Sequence, residues 1–311
     1  MNILIVDEMH PSLFEMLNQA GFSYRYEPTF KRTDILSCIA DFEGLIIRSK
    51  TPIDADFLVH APHLKFVARA GAGLDLIDLQ AVGKRNIQLF AANEGNRDAV
   101  AEHAVGMLLA LLANINKADR EVRQGIWQRE ANRGVELMGL TVGIVGYGFN
   151  GRATAQRLGG FGCQVLTYDK YAPPAPEEAF AKSVSRAQLM AQSDVVSLHL
   201  PLTDETRLLI DDAFVAQMTK PFYLINIARG EIVGLPALVR GLQSGKVRGA
   251  CLDVLENEKI NQLSPSQQAI FEYLRQSDRV ILTPHVAGWT QESYVKINKV
   301  LVRQIAEVFK K

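Results

Sequence analysis

Short runs of branched and aromatic residues alternate with longer stretches of mixed polarity over the first ninety positions. The runs Ile3–Val6, Tyr24–Glu27, Gly44–Arg48, Leu64–Ala70 and Ile87–Phe90 predict strands, and stretches such as Pro11–Ala20 and Asp75–Arg85 predict helices between them. This βαβ progression implies a parallel sheet covered on both faces. From Asn96 the pattern changes. Asp98 to about Gln124 reads as one long helix, apolar in its first half and charged in its second, and Trp127 follows a glycine break. Strands recur at Gln164–Tyr168, Asp194–His199, Tyr223–Ile227, Gly249–Asp253 and Arg279–Leu282, with helices at Leu235–Leu242 and from Ser264. Ser264-Pro-Ser-Gln267 pairs a capping serine with proline at the first helical position and glutamine three residues on. The chain closes in a helix from about Gln291 to Lys310. The fold class is therefore α/β, with two doubly wound, Rossmann-like parallel-sheet domains. If the terminal helix returns to the first sheet, residues 1–95 and 286–311 form one discontinuous domain and 96–285 are inserted into it.

Within that inserted stretch, Thr141-Val-Gly-Ile-Val-Gly-Tyr-Gly-Phe-Asn-Gly151 reads as strand, tight turn and helix start. Gly146, Gly148 and Gly151, with Phe149 and Asn150 between them, form the G-x-G-x-x-G of a dinucleotide site. The first glycine permits the turn, the second lets backbone approach a pyrophosphate, and the third lets helix pack on strand. Asp169 ends the next strand, eighteen residues on. Its carboxylate favours NAD, because it accepts hydrogen bonds from ribose hydroxyls and repels a 2′-phosphate. Lys170 follows at once and could neutralise that repulsion, or could be a solvated loop cation. Leu200 and Pro201 end a further strand, where their backbone should line the adenine–ribose side. His199 beside them reads either as a base or as a structural histidine.

The 311 residues suit about two domains. A formal net charge of zero supplies no field to attract nucleic acid or an anionic membrane. Cys38, Cys163 and Cys251 are isolated and odd in number, which implies reduced cysteines in a cytoplasmic protein and no zinc framework. The N-terminal run reads as a strand without a basic signal region, and the uncharged run around His103–Asn116 is too short to span a bilayer. No metal site is expected.

Three later strand ends carry the polar groups that keto-acid reduction needs. Arg229 follows Asn226-Ile-Ala, Asp253 and Glu258 follow Ala250-Cys-Leu, and His285 follows Leu282-Thr-Pro. A guanidinium binds a carboxylate bidentately and polarises the adjacent carbonyl. An imidazole exchanges a proton with the oxygen, and a carboxylate on its other nitrogen fixes the tautomer. Taken singly, each has a plainer reading: a surface cation, a charged-loop glutamate, an inert histidine.

In the order of these blocks, the chain resembles the D-isomer-specific 2-hydroxyacid dehydrogenases over nearly its whole length. Leu45-Ile-Ile-Arg-Ser-Lys-Thr51 resembles the family's substrate loop and Ala68-Arg-Ala-Gly-Ala-Gly-Leu-Asp75 its glycine-rich segment. Asn93-Glu-Gly-Asn96 and Ala101-Glu-His-Ala-Val-Gly106 resemble its hinge and following helix, and Gly125-Ile-Trp127 its G-x-W. The resemblance implies Arg229 as binder of carboxylate and carbonyl, His285 as general acid/base and Glu258 as its partner. It implies cofactor contacts from Ile227, Ala228, Asp253 (toward the carboxamide) and Gly288, and substrate contacts from Arg48, Ser49, Ala72, Gly73 and Asn96. It also implies a homodimer, or a higher oligomer, through the cofactor domain, with the long helix from Asp98 in the interface, explaining its uncharged half. Lys259, Ala72 and Trp289 depart from the usual proline, hydroxyl residue and small residue. Trp289 either packs or walls the nicotinamide end.

Arg48, Lys50 and Arg69 give the substrate loops a basic lining, and the first loop looks most like that of members acting on phosphoglycerate. The expected reaction is oxidation of 3-phospho-D-glycerate to 3-phosphooxypyruvate with NAD, opening serine biosynthesis, without feedback through a regulatory extension. The alternatives are a glyoxylate/hydroxypyruvate or other 2-keto-acid reductase, and an NAD(H)-sensing corepressor-like binding protein.

Overall fold

The computed structural model describes residues 1–171 and 178–309, so the last residue expected in the terminal helix, Lys310, lies outside the described residues. The chain forms two compact units, Met1–Arg97 with Trp289–Lys311, and Asp98–Gly288.

The first unit holds five parallel strands, β1 (Asn2–Ile5), β2 (Ser23–Tyr26), β3 (Gly44–Ile47), β4 (Phe66–Arg69) and β5 (Gln88–Ala91), in the order β2-β1-β3-β4-β5. This is a doubly wound order that reverses between β1 and β3. Ile3, Leu4, Ile5 and Leu45, Ile46, Ile47 are fully buried, as expected for strands covered on both faces. The terminal helix Gln291–Phe309 does return to this sheet, burying Leu301 and Ile305 among Ile3, Ile5, Ile46 and Phe66. Asn298 fixes it by donating its side-chain amide to His10 O (3.2 Å) and Ser12 Oγ (3.0 Å).

The second unit holds β6 (Thr141–Val145), β7 (Gln164–Tyr168), β8 (Lys182–Ser183), β9 (Val195–Leu198), β10 (Phe222–Asn226), β11 (Val247–Leu252) and β12 (Val280–Leu282). Their order is β12-β11-β10-β9-β6-β7-β8, all parallel, with the reversal between β6 and β9. At such a reversal the chain leaves adjacent strand ends in opposite directions and opens a crevice. The expected α/β class with two parallel-sheet domains is borne out.

Two local expectations are corrected. The single helix from Asp98 to Gln124 is two, Arg97–Leu112 and Ile115–Arg123, bent by 62°. The break is Asn114, which adopts a left-handed φ of 55° and donates its amide to Arg133 O at 3.1 Å. Of the two readings of the uncharged first half, a buried helix or a subunit contact, the first holds for Val100, Ala104, Met107, Leu108 and Leu111, which are buried in this unit's own core against Val142, Ile144 and Ile225. The helix expected over Asp75–Arg85 is shortened to Leu79–Lys84, because the Asp78 carboxylate caps it by accepting from Ala81 N at 3.0 Å. The reciprocal cap at Ser264 forms as read: Ser264 Oγ accepts from Gln267 N and Gln267 Oε1 from Ser264 N. Among the described residues no single helix is long and apolar enough to cross a membrane, and no group of three or more His, Cys, Asp or Glu could hold a metal ion.

Candidate active site

The fingerprint glycines take three different places at the β6 turn. Gly146 has φ of +91°, and a Cβ there would stand 2.5 Å from His199 O across the reversal. A Cβ on Gly151 would meet Gly146 O at 2.1 Å, so this glycine is what lets helix Phe149–Leu158 approach β6. A Cβ on Gly148 would project into open space, which is the room a ligand needs over the helix N-terminus. The first amides of that helix have no preceding turn to bond to. Asn150 Oδ1 beside them is buried and has no hydrogen-bond partner among the described residues.

A cavity of about 990 Å³ opens from this turn. It is lined by Gly146, Gly148, Asp169, His199, Leu200 and Pro201, five of which were candidates for cofactor contact. Asp169 ends β7 and its carboxylate accepts from the amides of Tyr147 (2.6 Å) and Tyr171 (2.8 Å), so the acid is fixed at the cavity wall. The Lys170 ammonium pairs with another acid: it bonds both oxygens of Glu205, at 3.0 and 2.8 Å, and Tyr171 O–H donates to the same carboxylate at 2.8 Å. Glu205 and Tyr171 hold the Lys170 pKa above its ordinary value. Tyr171, Arg186 and Glu205 also line the cavity and were not singled out from sequence. No local signal joins Lys170 to an acid thirty-five positions away. The His199 ring is buried beside the turn. Burial pushes its pKa down to about 3, so the ring is neutral; Nε2 meets Ser197 Oγ at 2.9 Å, and Nδ1 is buried without a partner among the described residues. A crevice with an acid at the ribose end, a paired lysine and buried unpartnered polar atoms fits an NAD-type dinucleotide.

The second group stands at the carboxyl end of the same sheet. Asn226, Leu252 and Leu282 are register partners across β10, β11 and β12. Arg229, Glu258 and His285 therefore leave three adjacent strand ends. Asn226 shapes the first: its Oδ1 accepts from Ala228 N (3.1 Å) and its Nδ2 donates to Arg229 O (2.9 Å). Arg229 is half-buried, with Nη1 donating to Ala228 O at 2.7 Å; Ile227 and Ala228 beneath it are buried. Glu258 and His285 come together, with Nδ1 2.9 Å from Oε1 and 3.2 Å from Oε2. Asp253, expected to approach the carboxamide, has its carboxylate bonded to the loop before and after His285. It is 1% exposed and accepts from Val286 N and Ala287 N at 2.9 Å each and from Thr283 O–H at 2.5 Å, so it anchors the loop that carries His285 and runs on to Gly288.

In the first unit, Arg48 leaves β3 at the strand reversal. Its amide donates to Asp7 Oδ2 (2.5 Å) and its guanidinium to Tyr294 O–H (2.6 Å), lying 3.9 Å from the Trp289 ring centre and 4.6 Å from that of Tyr294. Trp289, whose packing was open, is 58% exposed and lies on this guanidinium and edge-on to Tyr294. Arg48, Trp289, Tyr294, His10 and Glu8 line a cavity of about 520 Å³. Ser49 is exposed, Ala72 and Gly73 are half-buried beyond β4, and Asn96 has a buried Oδ1 without a partner among the described residues.

Residues 105–287 match the D-isomer specific 2-hydroxyacid dehydrogenase NAD binding domain. The chain belongs to this family of NAD-dependent dehydrogenases. D-3-phosphoglycerate dehydrogenases of Mycobacterium leprae and Archaeoglobus fulgidus are 37% and 32% identical over 94% and 100% of the chain. These alignments cover 53% and 58% of those relatives, so the chain spans about half the length of the curated proteins it matches. Among solved structures, a glyoxylate reductase from Paecilomyes thermophila superposes with a TM-score of 0.86 at 27% identity, covering 98% of this chain and 95% of that one.

Proposed function

We propose that the protein is an NAD-dependent D-2-hydroxyacid dehydrogenase acting on 3-phospho-D-glycerate and 3-phosphooxypyruvate, the first step of serine biosynthesis. The observation that carries the reading is the placement of Arg229, Glu258 and His285 after three register-aligned strands of the sheet that bears the dinucleotide turn. NAD, when bound, accepts or supplies the hydride at C2 of the acid. Gly146, Gly148, Phe149, Asn150 and Gly151 would hold its pyrophosphate and Asp169 its ribose, and Leu200, Pro201, Ile227, Ala228 and Gly288 would line the rest of its crevice. Arg229 binds the substrate carboxylate and polarises the C2 oxygen. His285 gives that oxygen a proton in reduction and takes it back in oxidation, with Nδ1 held by Glu258. Asp253 acts on this site through the loop it anchors.

Arg48, Ser49, Ala72, Gly73 and Asn96 form the substrate side. The phosphoglycerate reading rests on Arg48 and Arg69 there and on the names of the matched relatives. Lys50 contributes less, since its ammonium donates to Pro28 O. Glyoxylate or hydroxypyruvate reduction is the second reading, favoured by the fit to the glyoxylate reductase structure. The proposal includes a cytoplasmic enzyme, dimeric through the second unit, where Ile115, Val122, Ile126 and Trp127 are exposed, Trp127 at 84%.

The test is NADH oxidation with phosphohydroxypyruvate, hydroxypyruvate, glyoxylate and pyruvate. Preference for the phosphorylated acid is expected; preference for glyoxylate or hydroxypyruvate selects the second reading, and no turnover with any acid rejects both. Arg229→Ala should lose most turnover while NADH still binds, and unchanged turnover removes Arg229 from the site.

A further inference from the structure

We propose that Thr283 and His103 position His285 through the buried carboxylate of Asp253; this rests on the reading of His285 as the proton-transfer group. His285 is one of four described non-glycine residues with positive φ, at 55°. Such a backbone persists only where its surroundings over-determine it. Here the restraint centres on Asp253, beside a second contact of His285 N to Thr283 O at 3.1 Å. Asp253 O accepts from His285 N at 2.7 Å, and the Asp253 carboxylate accepts from Val286 N and Ala287 N, the next two amides of the loop.

A buried carboxylate needs donors, and its orientation follows from them. The third donor is Thr283 O–H, two residues before His285. A threonine has one hydroxyl proton, and here it goes to Asp253 Oδ1. His103 Nε2, 3.0 Å from Thr283 Oγ1, must then be the donor of that contact, so the His103 ring carries its proton on Nε2. The same nitrogen lies 3.5 Å from Asp253 Oδ1, and Met107 Sδ lies 3.8 Å from the hydroxyl. His103 and Met107 both sit on helix Arg97–Leu112. The chain of contacts therefore runs from that core helix through Thr283 and Asp253 to the backbone that aims the imidazole. Neither Thr283 nor His103 touches Glu258 in this chain of contacts, so both are positioning residues.

Thr283→Val keeps the shape and removes the hydroxyl. It should lower kcat about 10- to 100-fold with the keto-acid KM and NADH affinity within about threefold, because aim rather than binding is lost. Thr283→Ser should restore most of the rate. His103→Gln, which keeps a donor, should retain more activity than His103→Leu. A Thr283→Val kcat within twofold of the parent, or a serine variant as slow as the valine one, overturns the proposal. Proton NMR of the His285 ring, assigned with His285→Asn, gives a readout free of turnover: its Cε1–H resonance should move in Thr283→Val and stay in Thr283→Ser. If the parent turns over no keto acid, the functional reading fails and this resonance alone decides the positioning, an unmoved signal rejecting it. If the valine variant does not fold, the His103 pair carries the same comparison, and equal rates and equal His285 resonances in the two reject it.

Discussion

Glu258 Oε1 stands 2.9 Å from His285 Nδ1, and each side chain is about half exposed. A carboxylate only accepts, so the neutral ring carries its proton on Nδ1 and leaves Nε2 as the acceptor that the proposed proton transfer needs. Glu258→Gln keeps the reach but can present an amide N–H to the same nitrogen, which loosens that tautomer. The expected outcome is a fall in kcat of about 10- to 100-fold with little change in NADH affinity, and a larger fall for His285→Ala, of about 10²- to 10⁴-fold. Steady-state kinetics check it; a glutamine variant at parental kcat would remove Glu258 from the proton step.

This pair was legible in the sequence because each member lies within six residues of a strand end, and parallel strands end on one edge. The fingerprint glycines were legible for a similar reason: Gly146 takes a φ of +91° at a tight turn, and Gly151 is constrained by Gly146 O five residues before it. What could not be read depends on distant partners. The Lys170–Glu205 pair, the commitment of Asp253 to its loop and the seating of Trp289 on Arg48 all join residues from separate elements. The helix break was not legible because Asn114 adopts its left-handed conformation without a glycine or proline to mark it. The apolar half of that helix was ambiguous by nature, since a core face and a subunit face have the same composition.

Cofactor choice should follow from the Asp169 carboxylate and the pairing of Lys170 with Glu205. A 2′-phosphate would meet the first without help from the second. Glu205→Gln leaves Lys170 with a neutral partner, and Asp169→Ser removes the acid while keeping an acceptor for Tyr147 N. The double variant should raise kcat/KM for NADPH relative to NADH by about tenfold or more, an amount equivalent to about 1.4 kcal/mol. Measuring both cofactors with one keto acid checks this, and an unchanged ratio would mean that discrimination lies elsewhere.

Acid stability should carry the mark of His199. Its pKa falls from 6.5 in the unfolded chain to about 3 in the folded one because the ring is buried. Above pH 6.5 both states hold it neutral and it adds no pH dependence. Between pH 6.5 and 3 the unfolded chain binds a proton that the folded chain refuses, so folding stability drops by about 1.4 kcal/mol per pH unit from this group. Urea unfolding of the parent and of His199→Asn at several values between pH 7.5 and 5 should show the stability difference shifting toward the variant at about that slope below pH 6.5. A difference independent of pH would show that the ring takes up its proton as readily folded as unfolded.

The Arg48 guanidinium is held by Tyr294 O–H at 2.6 Å and lies on the Trp289 ring at 3.9 Å, although Trp289 is more than half exposed. A cation over an indole at an exposed site gains about 0.5–1 kcal/mol, and more where water is excluded. Without the ring, Arg48 gains rotameric freedom that must be lost again when an anion binds. If Arg48 binds the second anionic group of the substrate, Trp289→Ala should raise KM for phosphohydroxypyruvate by about three- to tenfold. Trp289→Phe should raise it less, because a smaller face still holds the cation. Glyoxylate, which has no second anion, should show little change in KM with either variant. Equal effects on both acids would mean that Trp289 supports the segment before helix Gln291–Phe309, and leave Arg48 without a part in choosing between them.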